Sequence, residues 1–127
     1  QKTAFPSVTS DYLPTIVDIL SLSYPENRPL DGVSLKQVLD GKTPERDKPI
    51  GFRIHNKMSW VTPQYKLIST DGGETFELYN LIEDKEEKSN IASENPEAVQ
   101  QMKKELLSWI ESCDESEAGG DYGKLSN

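Results

Sequence analysis

Residues Thr75–Ala92 read TFELYNLIEDKEEKSNIA, and the fold turns on how this stretch is parsed. Phe76 and Leu78 alternate with Glu77 and Tyr79, the period of two expected for a half-buried strand. A dense block of charge, EDKEEK, then breaks the alternation, and the small apolar pair Ile91–Ala92 ends the stretch and leads towards a helix. A strand, an acidic turn and a helix in that order give the carboxyl half of an α+β domain.

Upstream, TDGGE at 70–74 is a strong hairpin signal, so the strand through Leu78 should pair antiparallel with YKLIS, where Leu67 and Tyr65 flank Lys66. The same period continues towards the N-terminus in Phe52 and Ile54, which alternate with Gly51 and Arg53. MSWV supplies a further strand, joined to YKLIS by a turn at Pro63. Downstream, Asn95 is placed to cap a helix with Pro96 at its first position and Glu97 near its positive end. Val99, Met102, Leu106, Trp109 and Ile110 then recur on one face, which must be buried against the sheet.

The first third of the chain is helical in pattern. Ser10 reads as a cap, Pro14 falls in a first turn, and Leu13, Ile16, Val17 and Leu20 share helical spacing. SYPENRPLDG breaks regular structure as a surface loop. Ser34 then caps a very short helix carrying Leu35, Val38 and Leu39, with Gly41 as its left-handed terminator. The expected fold is α+β: about four antiparallel strands packed by a long C-terminal amphipathic helix and preceded by two short helices. The expected divisions are a helical segment at 1–43, a sheet-and-helix subdomain at 44–113 and a flexible tail at 114–127, where DESEAGGDYGKLSN has no periodicity.

Composition removes several function classes. With 14 Lys+Arg against 22 Asp+Glu, the net charge of −8 disfavours nucleic acid and anionic membrane surfaces, and no basic run interrupts it. No segment approaches the roughly 20 apolar residues needed to cross a bilayer. The first residue is Gln1, which is expected of a piece excised from a longer protein.

Self-contained chemistry is equally sparse. Nucleophilic catalysis needs a nucleophile beside a base, and the chain holds one cysteine, Cys113, far in sequence from its one histidine, His55. Cys113 sits near a helix end among acidic residues, which raise a thiol's pKa, and is expected to be a half-buried small residue. The acidic turn does not have the ligand spacing of a calcium loop, since lysines interrupt it and no glycine is present. Asp84 and Glu87 are expected instead to cap backbone amides. The segment HNKMSW, a loop between strands, offers His55, Asn56, Lys57 and Trp60 as substrate-contact candidates: a cation for charge, an amide for hydroxyls and an indole for a ring face.

The order of motifs adds what composition cannot. TSDYLPTIVDIL, LDGVSLKQVLDG, YKLI, FELYNLIEDKEEKSNIA and the terminal amphipathic helix closely resemble the C-terminal portion of type I sulfatases, formylglycine-dependent hydrolases of the alkaline-phosphatase-like superfamily. The resemblance runs from about Thr9 to Ile110. It implies a four-stranded antiparallel sheet packed by a long helix, lying beside the active-site cleft of a larger α/β domain of the same chain. It implies a parent that hydrolyses sulfate esters of carbohydrates or aryl alcohols, uses calcium and a formylglycine residue, and is secreted, periplasmic or lysosomal. Cys113 is followed by Asp114, Glu115 and Ser116 and does not match the modified-residue motif, so no catalytic or metal residue and no cofactor carries onto this chain. Residues 9–22 resemble the last helix of the large domain, and their apolar face, cut from that domain, favours self-association. An autonomous binding or scaffold module with a sulfatase-like fold, and the tail of a related phosphoesterase, are the alternatives.

Overall fold

The computed structural model describes residues 3–24 and 30–120. Two compact units divide the chain, residues 1–50 and residues 51–127. Residues 25–29, half of the expected loop at 23–32, and the last seven residues of the expected tail lie outside the described residues.

The first unit is built around a polar knot. A 3-10 turn at Thr9–Asp11 runs into α1, Tyr12–Ile19, and α2 follows at Lys36–Leu39. Pro14 sits third in α1, where the missing N–H costs little because first-turn amides have no intrahelical acceptor. Ser10 is not the organising residue at this end; Asp11 is. Its Oδ2 accepts from Val8 N–H and Arg46 Nη1, both at 2.9 Å, and its Oδ1 accepts from Val33 N–H at 2.9 Å and Arg46 Nη2 at 3.0 Å. One helical turn on, the Thr15 hydroxyl donates to the Asp11 carbonyl at 2.6 Å and accepts from Leu35 N–H at 2.9 Å. Three stretches of chain, 8–15, 33–35 and the one carrying Arg46, are therefore pinned by side-chain oxygens where the apolar core is small. The short α2 ends as its sequence foretells: Gly41 takes φ +79°, and Gly41 and Lys42 donate back to Val38 and Gln37. Ser34 accepts from Lys36 N–H at 3.2 Å while donating to Asp18.

The second unit is a four-stranded antiparallel sheet in the order β1 (Ile50–Ile54), β2 (Lys57–Val61), β3 (Tyr65–Ser69), β4 (Glu77–Asn80), with α3 (Pro96–Glu117) packed on one face. The register puts Trp60 opposite Leu67 and Leu67 opposite Leu78, so these three line up across the sheet on the side facing Met102 and Leu106. Leu67, Leu78 and Leu106 are fully buried. Burying a Leu, Met or Phe side chain contributes about 1.5–3 kcal/mol each, which makes this row the main source of stability in the unit.

Three local details differ from expectation. Asn95 occupies the helix N-cap position, but its amide donates to the Ile91 carbonyl at 3.1 Å instead of accepting from the first turn. Helix α3 continues through Glu117, past the point at 114 where a tail was expected. Arg53 of β1 holds Asp114 at 2.6 Å, which ties that extra turn to the sheet although the sequence there has no apolar period. Finally, Glu87 does not cap. It takes φ +55° and pairs with Lys66 of β3 at 2.6 Å, while Asp84 alone caps, accepting from Lys88 and Ser89 N–H at 2.7 and 2.8 Å.

Candidate functional site

The β1–β2 connection is the tightest possible hairpin, with His55 and Asn56 as its two loop residues. Two-residue hairpins require a left-handed residue at the first central position to match strand twist, and His55 takes φ +53° to supply it. Histidine tolerates that region better than most non-glycine residues. His55, Asn56 and Lys57 are all exposed, so the structure gathers an imidazole, an amide and an ammonium at one projecting tip.

Trp60 is separated from them. It lies three residues into β2 on the helix-facing side, only 8% exposed, with its Nε1 donating to Glu105 of α3 at 2.9 Å and its ring 6.0 Å from that of Trp109. HNKMSW is thus a loop for two residues and a strand for the other four. A strand forces alternate side chains to opposite faces, which sends Met58 and Trp60 to the core side and leaves Lys57 on the other.

The loop between β3 and β4, residues 70–76, sits at the same end of the sheet: Gly72 N–H donates to the Asn56 carbonyl at 2.8 Å. TDGGE is a turn signal by sequence, and its chemistry lies in Asp71. The Asp71 carboxylate accepts from Thr75 through both hydroxyl and N–H, from the Ser69 hydroxyl at 2.7 Å and from Glu74 N–H at 3.1 Å. These bonds, the Thr75 hydroxyl's foremost, hold its pKa well below the usual carboxylate range. An Asp two residues after a Ser and four before a Thr was the available signal.

The acidic turn shows no metal-binding arrangement. Among the described residues no group of three or more His, Cys, Asp or Glu side chains is placed to hold a metal ion. Asp84 is taken up by backbone amides and Glu87 by Lys66. Asn90, beyond the turn, closes the β4 edge: its Oδ1 accepts from Leu78 and Ala92 N–H, both at 3.0 Å, and Ile91 N–H donates to the Leu78 carbonyl. Cys113 is half-buried on α3 and is followed by Asp114 and Glu115. Among the described residues no helix is long and apolar enough to cross a membrane.

No protein-family profile matches the chain. A curated protein from Formosa agariphila named Sulfatase is 28% identical over 130 residues, covering 80% of this chain and 22% of that protein. The solved structure of Ps i-CgsB superposes with a TM-score of 0.68 at 22% identity, over 83% of this chain and 24% of that one. BT4656, solved with its substrate D-glucosamine-2-N,6-O-disulfate, gives 0.53 at 24% identity over 92% of this chain and 25% of that one. The phosphonate monoester hydrolase of Agrobacterium radiobacter gives 0.52 at 25% identity, over 80% of this chain and 24% of that one. The chain spans about a quarter of the length of each of these proteins. In sequence the chain is similar to part of a protein named Sulfatase, and in fold to about a quarter of each of these larger solved structures.

Proposed function

We propose that this chain is the C-terminal part of a sulfuric ester hydrolase, inert by itself, which completes the fold of the catalytic domain and lends its β1–β2 tip to one wall of the substrate cleft. The observation that carries the reading is the apolar surface of the first unit. Tyr12, Leu13, Ile16, Ile19, Leu20 and Leu22 are each about half exposed or more, on and just after a helix that buries only Thr15. So many large apolar side chains exposed along one short helix and its end fit a partner surface. The chain spans about a quarter of its relatives' length, which supports a partner surface carried by the rest of a longer protein.

The substrate reading is supported by BT4656, solved with D-glucosamine-2-N,6-O-disulfate. A sulfated carbohydrate presents anionic sulfates and ring hydroxyls, which suit the Lys57 ammonium and the Asn56 amide at the tip. Calcium and the modified nucleophile belong in this reading to the larger domain.

Two measurements test it. The 127-residue chain should show no turnover of aryl sulfates or sulfated oligosaccharides, and real turnover would refute its inertness. In the complete enzyme, His55→Gly should raise KM roughly two- to tenfold, the worth of one neutral hydrogen bond, and Lys57→Ala about tenfold or more, the worth of one between charged groups, with little change in kcat. Unchanged KM in both would remove the tip from the cleft. A phosphoesterase parent is the second reading, favoured by the likeness to the phosphonate monoester hydrolase. Comparing kcat/KM on a sulfate and a phosphonate ester of the same alcohol separates the two.

A further inference from the structure

A tight turn with an exposed left-handed histidine at its head is a poor candidate for a rigid contact surface unless something fixes it. Non-glycine residues held at positive φ persist only where their surroundings over-determine them. The support available here is the 70–76 loop, which has no regular structure and carries two glycines, Gly72 at φ +81° and Gly73 at φ +93°. Such a loop would ordinarily be mobile.

It is instead wound around one carboxylate. Ser69, 2% exposed at the end of β3, donates to Asp71 and accepts from Gly73 N–H at 2.9 Å. Glu74 and Thr75 close on the same Asp71 oxygens from the far side. The Gly72 peptide lies between these anchors, with its N–H aimed at the Asn56 carbonyl. We infer that Asp71 is a positioning residue: the Ser69–Asp71–Thr75 cluster presets Gly72 as a strut that holds the His55–Asn56 tip in its ligand-facing pose. The clause about the ligand rests on the function proposed above; the strut itself does not.

The test is made on the 127-residue chain by amide hydrogen exchange at Gly72 and 15N relaxation at His55 and Asn56. Asp71→Ala should speed Gly72 exchange about tenfold or more, the worth of bonds to a charged acceptor, and should raise picosecond-to-nanosecond motion at the tip. Thr75→Val, which deletes one hydroxyl and is the milder change, should move both readouts the same way. Thr75→Ser, which keeps that hydroxyl, should restore them. Exchange and tip relaxation unchanged in Thr75→Val and in a folded Asp71→Ala would overturn the inference, as would a Thr75→Ser variant as loose as Thr75→Val. Exchange needs no ligand, so its failure is distinguishable from that of the substrate-wall reading, which rests on KM in the complete enzyme.

Discussion

Asp11 and Arg46, thirty-five residues apart, face each other through two parallel hydrogen bonds of 2.9 and 3.0 Å, with their side chains 0% and 2% exposed. Two further donors are used as well: Arg46 reaches the Lys48 carbonyl through Nε at 2.7 Å and the Pro6 carbonyl through Nη1 at 3.2 Å. Removing one partner leaves the other buried without its counter-charge, which costs roughly 3–5 kcal/mol. Asp11→Ala should lower the urea midpoint by more than Arg46→Met, because it strands the Val8 and Val33 amide donors, whereas Arg46→Met frees only the Lys48 and Pro6 carbonyls, which tolerate a lost partner better. Equal losses would mean that the stranded amides cost no more than the freed carbonyls.

The same pair sets an acid limit. Burial alone would raise the Asp11 pKa, but the hydrogen bond from Arg46, those from the Val33 and Val8 amides and the guanidinium charge outweigh it and leave the carboxyl below its ordinary value of 3.8. A carboxyl depressed on folding contributes stability that is fully present above the unfolded pKa and is lost as pH falls through the folded one. The stability gap between the wild-type chain and Asp11→Asn should thus be largest above pH 5 and shrink as pH is lowered below about 4. A gap that is flat or widens towards acid, in melts followed by circular dichroism, contradicts the assignment.

Gly51 owes its identity to close approach. A Cβ built there would stand 2.6 Å from the Trp109 ring, nearer than any real contact. Gly51→Ala should destabilise the chain by about 1–3 kcal/mol, the usual cost of overpacking. Trp109→Leu, which vacates the space, should make a subsequent Gly51→Ala nearly neutral. Additive losses in this double-mutant cycle would rule out the steric account.

How far the sequence could be read follows from which rules are local. The α3 stripe, the TDGGE hairpin and the period-two strands depend on spacing alone, and Met102, Leu106, Leu67 and Leu78 stand where that spacing put them. In β1 the alternation is real, yet Phe52 and Ile54 are exposed at 47% and 64%, because α3 lies on the Gly51 and Arg53 side, where Trp109 and Asp114 meet them. Periodicity identifies two faces; the partner's shape chooses between them. The Asp11–Arg46 knot has no sequence signature, since nothing local links a pre-helical aspartate to an arginine thirty-five positions on. At the candidate site His55, Asn56 and Lys57 were legible as a polar turn and MSWV as a strand, but the face of that strand on which Trp60 lies, which decides its fate, was not.

Trp60 should accordingly behave as a core residue. Trp60→Ala should cost about 3–5 kcal/mol by leaving a cavity beside Leu67 and Leu106. Trp60→Phe retains most of the packing and loses the bond to Glu105, for roughly 1.5–3 kcal/mol at most. Neither should alter KM in a folded complete enzyme. A KM effect in Trp60→Phe with unchanged thermal stability would return the indole to the ligand surface.

His55 allows the imidazole and the turn to be separated. At φ +53° a β-branched residue pays the left-handed penalty in full, about 1–2 kcal/mol, whereas glycine pays none and gives back part of that gain in unfolded-chain entropy. His55→Gly should leave the urea midpoint unchanged or raise it, and His55→Val should lower it. This ordering is why glycine, which deletes the ring and preserves the hairpin, is the informative substitution for the substrate-wall test, while a loss of affinity in His55→Val would confound ring and turn. If His55→Gly proves as destabilising as His55→Val, the histidine ring itself stabilises the tip, and affinity changes on its removal no longer report on ligand contact.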